Sequence, residues 1–318
     1  MKGGWQTRLP MRRLLLLAFV WGWSFLFIKV AVGGMTPTAV AAARIALGAV
    51  ALHAWLRYKH VRLPRDRTFW RHSAVSSVFA NILPFTMLAW GEERITSALT
   101  AVLNASTPLF TAVAGAIYLR HRHEARSRLG GVEVAGLLVG IAGVAVAAGV
   151  GGSDFAHSSV TGSLASVGAG ACYGFALTYA ARHQLDVTAE VAATGQLTMG
   201  AVLLLPVAIA TTAIDGIDLA PHRVLAVLLL GAIGTGFAYL LYYRSVAQLG
   251  PTVTSLVTYI IPVVAVAVGV IVLGEPFRFR LLLGGAMIVV GILLVQRRIR
   301  LPGRRAPLPA ASGGESGV

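Results

Sequence analysis

Charge is what this chain has least of. Only 12% of its 318 residues are Asp, Glu, Lys or Arg. A soluble domain carries about 25%, so an ordinary soluble globule of this size is excluded. Acids are scarcer than bases, 12 against 27, for a net charge of +15. Cysteine is almost missing: Cys172 stands alone, which excludes an internal disulfide. The eight His lie near or outside the ends of the apolar runs. They show no metal-ligand spacing with Cys172, and no buried His relay is visible. No Walker A loop is present, so ATP hydrolysis by this chain is not expected. No acid pair, nucleophile or metal set marks a catalytic centre, and the chain reads as a non-enzyme without cofactors.

Apolar sequence is what remains, at 56% of the residues. Ten runs stand at about 14–32, 37–56, 71–90, 96–119, 129–149, 160–181, 189–211, 223–243, 252–273 and 280–296. Each is close to the roughly 20 apolar residues that cross a bilayer as a helix. The first run follows Lys2, Arg8, Arg12 and Arg13, as a signal peptide would. It contains Trp21, Trp23 and Lys29, however, and has no small-residue cleavage site, so it reads as a retained helix.

The basic residues sit in the loops. With the N-terminus in the cytoplasm, 21 Lys and Arg fall on the cytoplasmic side. The opposite side receives four: Arg94, Arg223, Arg278 and Arg280. This bias predicts a cytoplasmic (plasma or inner) membrane protein with both termini inside. It also explains the positive charge without a nucleic-acid partner.

Sliding the sequence against itself by 154 residues lays Pro108 on Pro262, Thr100 on Thr254, Gly115 on Gly269 and Leu129-Gly130-Gly131 on Leu283-Gly284-Gly285. A shift of 152 lays Trp21-Gly22-Trp23 on Tyr173-Gly174-Phe175. Five spans per copy is an odd number, which turns the second copy over in the membrane. The expected fold is therefore an all-α membrane protein. Its ten transmembrane helices form two inverted five-helix repeats over 14–149 and 160–296, and a disordered cytoplasmic tail covers 301–318.

Trp21-Gly22-x-Ser24-Phe25 with Lys29 beyond it resembles the first helix of an EamA-type member of the drug/metabolite transporter superfamily. The fourth run, from Ser97-Ala98-x-x-Ala101 through Pro108, is similar to that family's fourth. Leu273-Gly274-Glu275-Pro276 resembles the sequence that closes the fourth helix of each repeat, with Gly284-Gly285 and Gly291 in the fifth. The first copy departs from it, because His121 stands opposite Glu275. The resemblance implies a ten-helix exporter of amino acids or related small metabolites. It leaves the substrate open.

Pro108 and Pro262 each remove a helical hydrogen bond and free the carbonyl four residues back. Those carbonyls belong to Asn104 and Thr258. Thr100, Asn104, Thr107 and Thr111 follow a spacing that sets them on one stripe of the fourth helix. Thr254 and Thr258 repeat the start of that stripe in the ninth. The stripe is either one wall of a central cavity or ordinary interhelical hydrogen bonding. Asn81 matches Thr235 in the third and eighth helices, and Thr235 shares a face with Tyr239 and Tyr242. Trp21 and Tyr173 lie well inside their runs and match each other; with Ser24 they are read as pocket lining.

Three charges fall inside runs: Lys29, Arg44 and Glu133. Arg44 either binds an anionic group such as a carboxylate or pairs with backbone carbonyls. Lys29 is near enough to a helix end to snorkel. Glu133 is read as the only acid within a span, hence the one in-helix candidate for a proton relay. The expected activity is secondary active export by alternating access, coupled to protons or a counter-substrate, by a monomer in the bilayer. The alternatives are a multidrug or small-amphiphile exporter and a passive facilitator or channel.

Overall fold

The computed structural model describes residues 8–118, 130–150, 159–183, 187–254 and 257–296. Within them all regular structure is helical and no strand occurs. α1 spans Arg8–Val32, α2 Pro37–Tyr58 and α3 Arg67–Glu92. α4 comes in two pieces, Ser97–Asn104 and Thr107–Tyr118. α5 is Gly131–Ala148, α6 Val160–Arg182 and α7 Ala189–Asp215. α8 covers 221–254, α9 Val257–Ile271 and α10 Phe279–Val295. Among the described residues, eight helices are long and apolar enough to cross a membrane, while α9 and α10 are apolar but shorter. His121 and the tail after Leu301 lie outside the described residues.

Helix starts follow local chemistry. Thr36, Asp66, Thr96, Ser159 and Thr188 occupy N-cap positions, and each side chain accepts from the amide three residues on. That bond satisfies a donor the helix itself cannot. Proline opens α2 and α8 at Pro37 and Pro221, where its missing N–H costs nothing.

Three features depart from the hydropathy reading. α4 breaks rather than bends before Pro108. The freed Asn104 carbonyl accepts from Thr107 Oγ1 at 2.8 Å, and Ser106 Oγ donates to the Leu103 carbonyl at 2.6 Å. These hydroxyls compete with the helical ladder. Their repeat equivalents are Ile260 and Ile261, and α9 runs unbroken through Pro262. Second, α8 continues to Thr254 and α9 begins at Val257. The stripe expected to join Thr254 and Thr258 is therefore divided between two helices. Third, α3 and α8 each contain a π-helical stretch, Val78–Ile82 and Leu229–Phe237.

Glycines set the closest packing. A Cβ on Gly136 would stand 2.7 Å from the Gly291 carbonyl, and one on Gly143 would stand 2.7 Å from the Gly284 carbonyl. Seven residues forward on α5 thus correspond to seven back on α10, so the two helices run antiparallel with backbones in contact. α2 and α7 are antiparallel too. The Cβ direction of Gly48 meets Leu197 at 3.3 Å and that of Gly200 meets Ile45 at 3.0 Å. α1 packs on α9 and α6 on the second piece of α4. The outer faces carry exposed apolar side chains such as Leu138 (63%) and Val263 (67%), as a helix bathed in hydrocarbon requires.

Candidate functional site

Arg44 comes from the first half of α2 and is 6% exposed. A buried guanidinium needs partners for its donors. Its Nε donates to Thr235 Oγ1 at 2.8 Å, and its charge rests 3.8 Å from the centre of the Phe85 ring, a cation–π contact. The Thr235 hydroxyl in turn donates to the Leu230 carbonyl at 3.1 Å. Neither terminal guanidinium nitrogen has a hydrogen-bond partner among the described residues, and neither is fully sealed. Tyr173, Tyr239 and Glu92 lie within electrostatic range of the charge.

A second polar chain lies beside it. Gln196 Nε2 donates to Asn81 Oδ1 at 2.6 Å, and Asn81 Nδ2 donates to the Tyr239 hydroxyl at 3.1 Å. Asn81 and Thr235 are both fully buried, and each sits inside one of the two π stretches. π-bulges recur at functional sites because they disturb the regular ladder. The two chains are equivalent by number. Arg44 shifted by 152 is Gln196, and Asn81 shifted by 154 is Thr235. One copy of the motif is therefore charged and the other neutral.

The remaining sequence-predicted residues divide. Trp21 Nε1 donates to the Gly234 carbonyl at 3.2 Å, and its ring lies 5.7 Å from Tyr242. Tyr173 packs with Tyr239 against the α2–α7 apolar cluster. Ser24, Thr100 and Thr107 turn their hydroxyls back to the carbonyls of Val20, Thr96 and Asn104. Asn104 Oδ1 is buried without a partner. No hydrogen bond among the described residues joins Thr100, Asn104 or Thr107 to the Arg44 group. Thr258 is half-buried in α9, four residues before Pro262. Gln196 and Phe85 were missed; the 152-residue shift was the signal for Gln196.

Glu133 is not the only acid in a span. Glu92 ends α3 with no exposed surface, because the helix runs on past the last apolar residue of its run. Its Oε2 accepts from Ser97 Oγ at 2.8 Å, and Oε1 is buried without a partner. Lys29 Nζ donates to the Glu92 and Ile95 carbonyls, so it closes the end of α3.

Glu275 also finds its place here. Gly274 takes a positive φ of 66°, which turns the chain at little steric cost. The Glu275 carboxylate then accepts from the Ser97 amide at 2.7 Å and the Ala98 amide at 3.0 Å. It caps α4 from the far end of α9, where a negative charge suits the helix dipole. Glu275→Ala removes two charge-assisted bonds and is expected to cost on the order of 2–3 kcal/mol. An unchanged thermal midpoint in detergent would show that the cap contributes nothing.

Comparison with known proteins agrees with this architecture. The family described as the EamA-like transporter family matches residues 13–149 and 160–297. A protein of Archaeoglobus fulgidus described as an uncharacterized transporter is 22% identical, covering 88% of this chain and 95% of its own. A protein of Streptantibioticus cattleyicolor described as a probable terminal-alkyne amino-acid exporter is 27% identical, covering 93% of this chain and 96% of its own. A solved crystal structure superposes with a TM-score of 0.60 at 20% identity, covering 92% of this chain and 98% of its own. That likeness bears on the fold alone.

Proposed function

Because the chain belongs to the EamA-like transporter family, we propose that it is a secondary carrier exporting amino acids or related small carboxylate metabolites by alternating access. The observation that carries this reading is the duplicated polar pair, Arg44 with Thr235 and Gln196 with Asn81. Arg44 offers two unbound terminal nitrogens in a fork that matches a carboxylate. Tyr173, Tyr239 and Phe85 offer ring faces beside it. Gln196, Asn81 and Tyr239 offer neutral donors and acceptors for the rest of a zwitterion.

Ten spans in two inverted repeats suit this mechanism. Equivalent helices of the two halves, α2 with α7 and α5 with α10, lie antiparallel. That relation is expected when one copy is turned over. The cross-contacts are also reciprocal. A Cβ on Gly22 would meet Val264, and one on Gly174 would meet Phe110, its equivalent at a shift of 154. Rocking across such paired contacts would expose the Arg44 group to each side in turn. The carrier would work as a monomer in the cytoplasmic membrane with both termini inside, driven by protons or a counter-substrate.

Proteoliposomes test the reading. Substrate on the far side should speed labelled amino-acid flux several-fold, since a carrier returns faster loaded than empty. Flux that rises linearly with concentration and ignores the far side would point instead to a passive pore. No flux of any amino acid in the panel would remove the substrate class.

A further inference from the structure

One buried acid has no part in the substrate group described above. Glu92 closes α3 with none of its surface exposed. Among the described residues, no Lys or Arg nitrogen lies within 4 Å of its carboxylate. Lys29 reaches the backbone instead, donating to the Glu92 and Ile95 carbonyls. Oε2 has one donor, Ser97 Oγ at 2.8 Å, and the buried Oε1 has none. An ionised carboxylate in such a place is poorly compensated. A protonated one carries no charge and can itself donate.

The groups that face it come from several elements. Lys29 of α1, Arg44 of α2 and Glu275 beyond α9 lie within electrostatic range. Beside it in sequence, Glu93 is paired with Arg94. α6 meets the neighbouring Gly91 with the uncharged Gly162 and Ser166. Glu275 already accepts from two amides, one to each oxygen. Of the two acids that meet at Ser97, Glu92 is therefore the one with an oxygen left for a proton.

Ser97 gives the site two states. Its hydroxyl lies 2.8 Å from Glu92 Oε2 and 3.4 Å from the Phe25 carbonyl of α1. A hydroxyl has one proton to give. With Glu92 ionised, that proton goes to Oε2. When Oε2 takes a proton from water, Glu92 becomes the donor to Ser97 Oγ, and the Ser97 proton turns to Phe25. α1 packs on α9, from the second half of the chain. Protonation thus moves a hydrogen bond from α3 to a helix at the seam between the halves.

We infer that Glu92 is the proton-binding carboxyl of this protein, with the Ser97 hydroxyl turning between α3 and α1 as the proton comes and goes. That this proton drives transport rests on the carrier reading; that Glu92 binds it does not.

Infrared difference spectra of the full chain in detergent, acid minus alkaline, test the binding. The native protein should show the carbonyl stretch of a protonated carboxyl group, and Glu92→Gln should lose one such band. Identical spectra would overturn the site. Ser97→Ala reads the same group without touching the acid, and it keeps the amide that holds Glu275. It should move the band to higher frequency, because the carboxyl loses its partner; an unmoved band would overturn the hydroxyl switch. Proteoliposomes test the coupling. A pH gradient should change labelled amino-acid flux several-fold in the native protein, and Glu92→Gln should give the same flux with and without the gradient. A native response that survives in Glu92→Gln would overturn the assignment. Native exchange that ignores the gradient would overturn the coupling and leave the carrier standing. Absence of any exchange would count against the carrier, while the infrared band still decides on Glu92.

Discussion

Arg44→Gln is expected to lower substrate-accelerated exchange by tenfold or more while the protein still inserts and folds. Glutamine can keep the bond to Thr235, which uses Nε alone in the native protein. What it loses is the charge above Phe85 and the two terminal nitrogens. Truncating one partner of a buried, hydrogen-bonded charge pair costs about 2–5 kcal/mol, and each 1.4 kcal/mol is a factor of ten. Arg44→Lys should rescue little, because an ammonium lacks the planar fork and stacks poorly on a ring. The effect should fall on carboxylate substrates and spare a neutral amide analogue. Equal losses for both would assign Arg44 to holding the fold. Gln196→Ala provides the contrast. It removes the neutral member of the same duplicated pair, so it should weaken exchange without changing the preference for a carboxylate.

Gly284→Val should have the largest effect on stability. A Cβ there would lie 2.6 Å from the Ala147 amide nitrogen and 2.6 Å from the Gly143 carbonyl. Both neighbours are backbone, so no side chain can swing aside. On α10 alone valine would be harmless, since the helix is apolar throughout. Across the seam it must push α5 away and strand the contacts at Gly136 and Gly291. Overpacking of this kind costs about 1–3 kcal/mol, and more where backbone must move. The expected readout is a thermal midpoint lowered by several degrees and reduced yield of monodisperse protein. Gly115→Val is the control, because nothing lies within 4 Å of a Cβ at Gly115. Equal midpoints for both variants would refute the close seam.

The duplicated sequence already carried much of this arrangement. Thr36 and Thr188, 152 residues apart, cap α2 and α7 in the same way. Gly22 and Gly174 receive equivalent neighbours from α9 and α4. The same shift would have led from Arg44 to Gln196. Glu92 was out of reach of that reasoning. It sits in a charged stretch, Glu92-Glu93-Arg94, that looks like an exposed turn, yet Lys29, Ser97 and Glu275 gather around it from three other segments. The hydroxyl stripe of α4 was misleading for another reason. A threonine that faces a neighbour and one that bonds back to its own helix leave the same trace in sequence.

Composition and spacing along the chain were enough to mark the all-helical membrane class, most of the apolar helices and the family resemblance. All of these are properties of residue order, and hydrocarbon tolerates few alternatives to an apolar helix. Which polar groups meet was decided only in three dimensions. Each π stretch inserts about one extra residue and turns the helix beyond it by about 100°, so faces drawn on a regular period lose their register past residues 78–82 and 229–237. Asn81, Thr235, Arg44 and Gln196 meet in this protein because those two turns and the glycine-lined seams bring four helices to one place.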